Sequence, residues 1–119
     1  DYLAKAEAIH NAEIYENYYA ISECDSANTA SPTLVCAQAA NDLLNIKGIK
    51  ASFVLTVYNN LIYISARSMD EVNVQTIMEK LGGGGHRSVA GAQIKEGSIN
   101  DAKNRVKQVL KELIERGEL

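Results

Sequence analysis

Four consecutive glycines, Gly82 to Gly85, are followed directly by His86, Arg87 and Ser88. Glycine loses more backbone freedom on folding than any other residue, so an ordered run of four indicates a place where no side chain fits. Amide N–H groups without neighbouring side chains can form a concave set of donors for phosphate or another anion. A flexible linker is the alternative, but periodic elements flank the run on both sides. The run therefore predicts an anion-binding loop inside a folded domain.

Length and charge restrict the class of protein. The 119 residues are 46% hydrophobic, which suits one globular domain. A net charge of −3 argues against binding along a long nucleic acid backbone, which needs an excess of Lys and Arg. No apolar run approaches the roughly 20 residues that cross a bilayer, and no signal peptide opens the chain. We expect a soluble, cytoplasmic domain whose partner is a small anion rather than a long nucleic acid.

The cysteines and histidines do not form a recognisable motif. Cys36 falls in a strongly helical segment, so a buried core residue is favoured over a disulfide with Cys24. His10 and His86 are far apart and lack companions at ligand spacing. We therefore predict no metal site within this chain.

The first half of the chain predicts a helix, a strand, a second helix and a hairpin. Helix formers fill residues 2–17, with Leu3, Ala6 and Ile9 along one side and no capping residue before Tyr2. Tyr18 to Ser22 reads as a strand and Glu23 to Thr29 as a loop. Ser31 and Pro32 open a helix that runs to about Ile46, with Lys47 and Gly48 at its end. Its wide apolar face, which begins at Leu34, predicts packing against a sheet.

Residues 51–66 predict a β-hairpin. Apolar residues alternate along Ala51 to Tyr58 and again along Leu61 to Ala66, and Asn59 and Asn60 between them tolerate positive φ. The second strand continues into Ser65, Arg67 and Ser68. Because sites are often assembled where strands end, these polar side chains are candidates for binding.

The second half predicts two helices and one returning strand. Asn73 is placed as an N-cap, with Val72 and Ile77 forming a hydrophobic staple across the first turn. A strand is expected near Ala92 to Lys95, and Ser98 with Asp101 opens a last helix with one charged, solvated face. The sum is four helices and about four strands. An α/β fold (α+β as the alternative) with helices packed on a mixed sheet fits best.

Residues 82–91, GGGGHRSVAG, and residues 65–68, SARS, carry a resemblance to a known family. From about Tyr18 onward the chain resembles the DHH-associated substrate-binding domain, the C-terminal half of DHH-family phosphoesterases. The stretches AQAANDLLNIKGIKASFVLTV and ISARSMDEVNVQTIMEKLGGGGH are most similar to bacterial cyclic di-AMP phosphodiesterases. Val89 and Ala90 are a conservative departure from the usual motif.

The resemblance implies that catalysis belongs to another domain. The family's catalytic half binds two divalent ions, usually manganese, and activates water for attack on phosphorus. No Asp-His-His triplet occurs in this sequence. Residues 1–17 would then be a connector helix from that missing half, and residues 18–119 a binding domain that is inactive alone. The whole protein is implied to be a hydrolase that converts cyclic di-AMP to linear di-adenylate, and is usually membrane-anchored in this subfamily.

The resemblance also assigns roles to residues. The amides of Gly82, Gly83, Gly84 and Gly85 and the side chain of His86 would hold a phosphate, with Arg67 as a charged donor. Ser65 and Ser68 would supply nearby polar contacts, and Arg87 and Ser88 occupy variable positions of the motif. The implied partners are cyclic di-AMP or another small adenine nucleotide, the upstream DHH domain, and a second copy in a homodimer.

Three other functions stay open at this point. The substrate could be a short oligoribonucleotide or a 3′-phosphorylated nucleotide instead. A single-strand nucleic-acid-binding module, as in the C-terminal domain of alanyl-tRNA synthetase, would need a basic groove. Here Asp70, Glu71 and Glu79 dilute the positive charge. A pure interaction domain would use its apolar faces for dimer contacts.

Overall fold

Helices cover both faces of one mixed sheet in the computed structural model, which describes residues 2–119. This confirms the α/β class, with six strands rather than about four. The elements in chain order are α1 Tyr2–His10, β1 Glu13–Tyr15, β2 Tyr19–Glu23, α2 Pro32–Leu43, β3 Ala51–Tyr58, β4 Leu61–Ser68, α3 Val74–Glu79, β5 Gly84–Gly85, β6 Val89–Ile94 and α4 Ile99–Glu115. A short 3-10 turn, Ser26–Asn28, lies between β2 and α2.

The predicted hairpin forms the centre of the sheet. The strand order is β1-β2-β3-β4-β6-β5, with β2 and β3 parallel and the other neighbours antiparallel. Asn59 and Asn60 connect β3 to β4 with φ of 53° and 63°, the two positive values that a tight hairpin turn of type I′ needs. This pairing fixes the register in which Arg67 lies opposite Ser52.

The first helix is shorter than predicted. It ends at His10, and Glu13–Tyr15 pairs with β2 across a turn in which Glu16 and Asn17 have φ of 52° and 70°. The prediction of helix through residue 17 is therefore wrong, and residue 1 of that prediction lies outside the described residues. The helix buries Ala4 and Ala8, while Leu3 is 70% exposed. Its role as a connector stays a prediction.

The other helix ends follow the capping signals with one exception. Asn73 Oδ1 accepts from the Thr76 amide at 3.2 Å, and Ser98 and Asp101 form a reciprocal capping box. Pro32 is the first residue of α2 as predicted, but the Ser31 side chain makes no capping hydrogen bond. That helix ends at Leu43, before Ile46, and Gly48 has φ of 91° in the turn that follows.

Two apolar clusters lie on opposite faces of the sheet. On one face, α3 and α4 pack on strand residues that include Phe53, Leu55 and Ile64. On the other face, α1 and α2 pack on Ala20 and Val54 of β2 and β3. This second cluster also holds Cys24 and Cys36 as free, buried thiols, which confirms the interpretation of Cys36 as a core residue.

The second face is left partly uncovered. Its cluster contains no residue of β4, β5 or β6. Along β4, Ile62, Ile64 and Ala66 are buried under the first face, whereas the alternate residues Tyr63, Ser65 and Arg67 are only half-buried. We call this uncovered side of β4, β6 and β5 the open face. Its β6 side chains are those at residues 89, 91 and 93, which pair with residues 67, 65 and 63.

None of the helices within residues 2–119 combines the length and apolarity that a transmembrane span requires.

Candidate functional site

Arg67 and His86 lie in one row across the open face. Arg67 of β4 is directly opposite Val89 of β6. On the other side of Val89, the His86 amide donates to the Val89 carbonyl at 2.7 Å, which extends the β5–β6 pairing by one residue. Cross-strand partners point to the same face, and two strand spacings separate the Cα atoms of Arg67 and His86 by about 10 Å. The sheet thus places Arg67 and the backbone of His86 two strand spacings apart, although they are distant in the sequence.

The Arg67 guanidinium forms no ion pair with a carboxylate among residues 2–119. Its Nη1 donates to the Ala66 carbonyl at 2.9 Å, and the ion pairs found within residues 2–119 involve other cations: Lys5, Lys103 and Lys107. Burial lowers the pKa of Arg67, because the charged form loses hydration. A partly desolvated cation with most of its five donors unused is stabilised by an anion from outside.

The turn that carries His86 is anchored by hydrogen bonds on both sides. The Arg87 Nε donates to the Asp70 carbonyl at 2.9 Å, and the Val74 amide donates to the Arg87 carbonyl at 2.9 Å. The Ser68 amide donates to the Ser88 carbonyl at 3.1 Å. These bonds hold the turn against the end of β4 and the start of α3. The imidazole is exposed on an anchored backbone.

The two serines of the predicted site are separated by the sheet. Ser65 lies on the open face beside Arg67 and pairs with Gly91. Ser68 belongs to the opposite face and is 7% exposed. Its hydroxyl donates to the Val72 carbonyl at 2.6 Å, and the Arg87 carbonyl lies 3.3 Å away as a second acceptor. Ser68 is therefore not grouped with the other predicted residues. Its contacts give it the role of an anchor for the turn.

The domain's own packing explains three of the four glycines. Gly82, at φ 86°, follows the end of α3. A Cβ on Gly83 would lie 2.1 Å from the Gly91 carbonyl oxygen, and one on Gly85, at φ 143°, would lie 2.6 Å from the Ala90 Cα. The close approach predicted from the sequence is thus partly an approach to the backbone of β6.

Two of the four amides proposed as anion donors have acceptors at the end of α3. Gly82 donates to the Glu79 carbonyl at 3.1 Å and Gly83 to the Met78 carbonyl at 2.8 Å, which caps α3. The His86 amide is used by Val89. The other two, Gly84 and Gly85, lie in β5 and pair with β6 at one end of the strand order, so the predicted array of four free donors does not form.

Gly84 is the glycine that the domain itself does not explain. A Cβ there would meet nothing within 4 Å, and its φ is not positive. It pairs with Gly91, which pairs with Ser65, so it lies one row from Arg67 and His86 on the same face. A bare backbone at this position leaves room for a molecule that approaches from outside.

A cavity of 510 Å³ lies beside the glycine run, and its lining includes Tyr63, Gly82, Gly83, Gly91, Gln93 and Lys95. Sequence reasoning missed Tyr63, Gln93 and Lys95. Strand alternation could have identified two of them, because Tyr63 lies two residues before Ser65 and Gln93 lies two residues after Gly91, so each shares a face of the sheet with its neighbour.

A larger cavity of 640 Å³ lies between α1 and α4, lined by Glu7, Glu23, Asp25 and Lys103 among others. Its excess of carboxylates repels an anion, so the candidate site is the open face.

Among residues 2–119, no three or more His, Cys, Asp and Glu side chains are grouped so that they could hold a metal ion. These residues therefore do not offer the ligands that the divalent ions of a phosphodiesterase need, and we assign no step of hydrolysis to a metal ion bound by them.

Comparison with known proteins gives matches over most of the chain. Residues 17–112 match the family model of the DHHA1 domain. The cyclic-di-AMP phosphodiesterase PdeA of Listeria monocytogenes is 42% identical over 103 residues, which cover 86% of this chain and 16% of that protein. The cyclic-di-AMP phosphodiesterase GdpP of Geobacillus thermodenitrificans is 37% identical over 118 residues, which cover 98% and 18%. The chain thus spans less than a fifth of the length of these relatives.

A solved structure shares the fold. The exopolyphosphatase-related protein from Bacteroides fragilis superposes with a TM-score of 0.83 at 20% identity, over 94% of this chain and 34% of that one. At this identity the likeness establishes the arrangement of helices and strands alone.

Proposed function

This chain belongs to the DHHA1 domain family, and we propose that it holds a phosphate of cyclic di-AMP for hydrolysis by a catalytic domain elsewhere in the same protein. Two relatives that match it along most of its length carry the name of cyclic-di-AMP phosphodiesterases. The chain covers a small part of each, so substrate and activity are proposed for the whole protein.

The proposal rests on the burial and the missing ion-pair partner of Arg67. This guanidinium is half-buried on the open face, has no carboxylate partner within the described residues, and shares a row with His86. A phosphate oxygen between the two would accept a charge-assisted hydrogen bond from Arg67 and a hydrogen bond from an N–H of the His86 imidazole. Gly84, one row away, leaves space for the phosphate or the ribose attached to it.

The division of labour follows from the chemistry of the side chains. The open face supplies donors and cations but no group of metal ligands, so it can bind and orient a phosphodiester. The activated water and the metal ions that stabilise the leaving group would come from the DHH catalytic domain. This domain alone is then a binding module without hydrolytic activity.

The test is steady-state hydrolysis by a protein that carries this domain together with its catalytic domain. We expect Arg67→Met and His86→Ala each to lower kcat/KM for cyclic di-AMP at least about tenfold, through lost charge-assisted hydrogen bonds. Linear di-adenylate, assayed in parallel, shows whether the loss is specific to the cyclic substrate.

The chain offers matched controls. His10 is exposed on α1, and Arg105 is exposed on α4. His10→Ala and Arg105→Met should leave kcat/KM unchanged. The proposal fails if Arg67→Met and His86→Ala hydrolyse cyclic di-AMP as fast as these controls do.

A further inference from the structure

Tyr63 and Gln93 form a pair on the open face that the phosphate-binding row does not use. They lie directly opposite each other in the β4–β6 register, and both line the 510 Å³ cavity. Cross-strand partners share a face of the sheet, so the phenol ring and the amide stand side by side.

Glycines at residues 83 and 91 leave part of the cavity lining without side chains. Gly83 and Gly91 approach so closely that a Cβ on Gly83 would lie 2.1 Å from the Gly91 carbonyl oxygen. A Cβ on Gly91 would lie 2.7 Å from the Ile64 carbonyl oxygen. Side chains are therefore excluded at both positions by the fold. The result is a strip of backbone without side chains beside the Tyr63–Gln93 pair.

Tyr63 is held in place for contact with a planar group. Its ring packs against the ring of Tyr58, with centroids 6.1 Å apart and planes at 57°. Half-buried aromatic rings on a sheet face are common platforms for nucleobases, since every base has a face that stacks.

The Gln93 side chain can distinguish adenine from guanine. A primary amide has both a donor and an acceptor, which match the amino group and the ring nitrogen on one edge of adenine. The same edge of guanine presents two acceptors and is matched by a cation instead. Lys95, the neighbouring cation in this cavity, lies two residues after Gln93, directly past the end of β6. The residue directly beside the ring is the amide, which favours adenine.

We propose that Tyr63 and Gln93 form an adenine-binding subsite, and that it receives the base of the nucleotide whose phosphate lies at Arg67 and His86. This inference rests on the proposed function. Tyr63 and Arg67 are four residues apart on one strand, a separation of about 13 Å, comparable to the length of an extended nucleotide. The base would stack on Tyr63 and present its edge to Gln93.

The test uses parts of a nucleotide as separate probes, with the amide signals of this chain followed by NMR. Adenosine should shift signals near Tyr63, Gln93 and Gly82 and leave those of Arg67 and His86 unchanged. Ribose 5-phosphate should do the reverse, and AMP should shift both groups. AMP should also bind more tightly than GMP.

Two variants and two controls separate recognition from folding. Gln93→Leu should reduce the preference for AMP over GMP by about tenfold, the effect of losing one bidentate base contact. Tyr63→Leu should weaken adenosine binding at least about fivefold. Gln108 is exposed on α4 and Tyr2 is 82% exposed on α1. Gln108→Leu and Tyr2→Leu should change neither quantity.

The possible failures are distinguishable. If ribose 5-phosphate binds at Arg67 and His86 but adenosine leaves Tyr63 and Gln93 unaffected, the adenine subsite is overturned and the phosphate site stands. The same holds if Gln93→Leu keeps the full AMP preference. If AMP shifts neither group of signals in the folded domain, both proposals are overturned.

Discussion

Arg67 and His86 flank Val89 in a single row across β4, β6 and the end of β5. They are 19 positions apart in the sequence. The β4–β6 register sets Arg67 opposite Val89, and one backbone hydrogen bond from His86 to Val89 sets the His86 backbone in the same row. Both backbone positions are therefore fixed by β-sheet pairing rather than by a flexible loop.

Arg67→Met should separate stability from binding. Arg67 is partly desolvated and has no ion-pair partner among residues 2–119, so replacing it with an apolar side chain of similar length removes an unfavourable burial. We expect the free energy of unfolding to stay the same or rise, while affinity for AMP falls. Urea denaturation and calorimetric titration measure the two quantities. A clear loss of stability would mean that Arg67 supports the fold instead.

Substitutions at Gly83 and at Gly84 should have different effects on stability and binding. Gly83→Ala places a Cβ 2.1 Å from a backbone oxygen, so we expect destabilisation by about 1–3 kcal/mol or more, as in an overpacked core. Gly84→Ala meets nothing within 4 Å and should leave the free energy of unfolding within about 0.5 kcal/mol of the parent. Gly84→Val should nevertheless weaken nucleotide binding. Unchanged affinity in Gly84→Val would remove the argument for an external molecule at this position.

Ser68→Ala tests the anchor of the turn. The Ser68 hydroxyl is buried and donates to the Val72 carbonyl at 2.6 Å, so its removal leaves a buried acceptor unsatisfied. We expect a loss of about 1–3 kcal/mol in the free energy of unfolding and a shift of the His86 NMR signals. Ser65→Ala on the open face is the matched control and should change neither. Equal effects of the two substitutions would contradict the assignment of Ser68 as the anchor.

Alkaline pH should weaken the fold through Cys36. Burial raises the pKa of this thiol to about 12 from an ordinary 9.0, with Cys24 close by adding to the effect. The unfolded chain releases the proton near pH 9.0, whereas the folded chain retains it until about 12, so stability present below pH 9.0 is lost as the pH rises between these values. The loss from this group is about 1.4 kcal/mol per pH unit.

Urea denaturation of the parent and of Cys36→Ala, at about pH 8 and about pH 10, measures this slope. The slope should be smaller in the variant. An identical slope in both proteins would assign the alkaline loss to other groups.

Local signals in the sequence were sufficient for most of the fold. Asn59 and Asn60 defined the hairpin because few residues accept two successive positive φ values, and Ser98 with Asp101 defined the start of α4 because a capping box satisfies both orphan amides. Residues 13–17 were misassigned because Glu13 to Tyr15 have no strong alternation. Their conformation depends on pairing with β2, a contact that local propensity does not record.

The site was only partly accessible from sequence. Arg67 and His86 could be grouped by resemblance, but the side of the sheet on which Ser68 lies depends on strand register, and its buried hydrogen bond to Val72 separates it from Ser65. The use of the Gly82 and Gly83 amides to cap α3 depends on where that helix ends. Both facts required the three-dimensional arrangement.

The central claim is that the open face binds a nucleotide phosphate between Arg67 and His86. The most direct measurement is an NMR titration of the isotope-labelled chain with cyclic di-AMP, with backbone and Arg67 side-chain signals assigned. Saturable shifts concentrated at Arg67, Gly84 and His86, and lost in Arg67→Met, are the result we expect. A folded domain whose signals at these residues stay fixed at high ligand concentration, or whose shifts cluster around Glu23 and Asp25 in the acidic cavity, would contradict the claim.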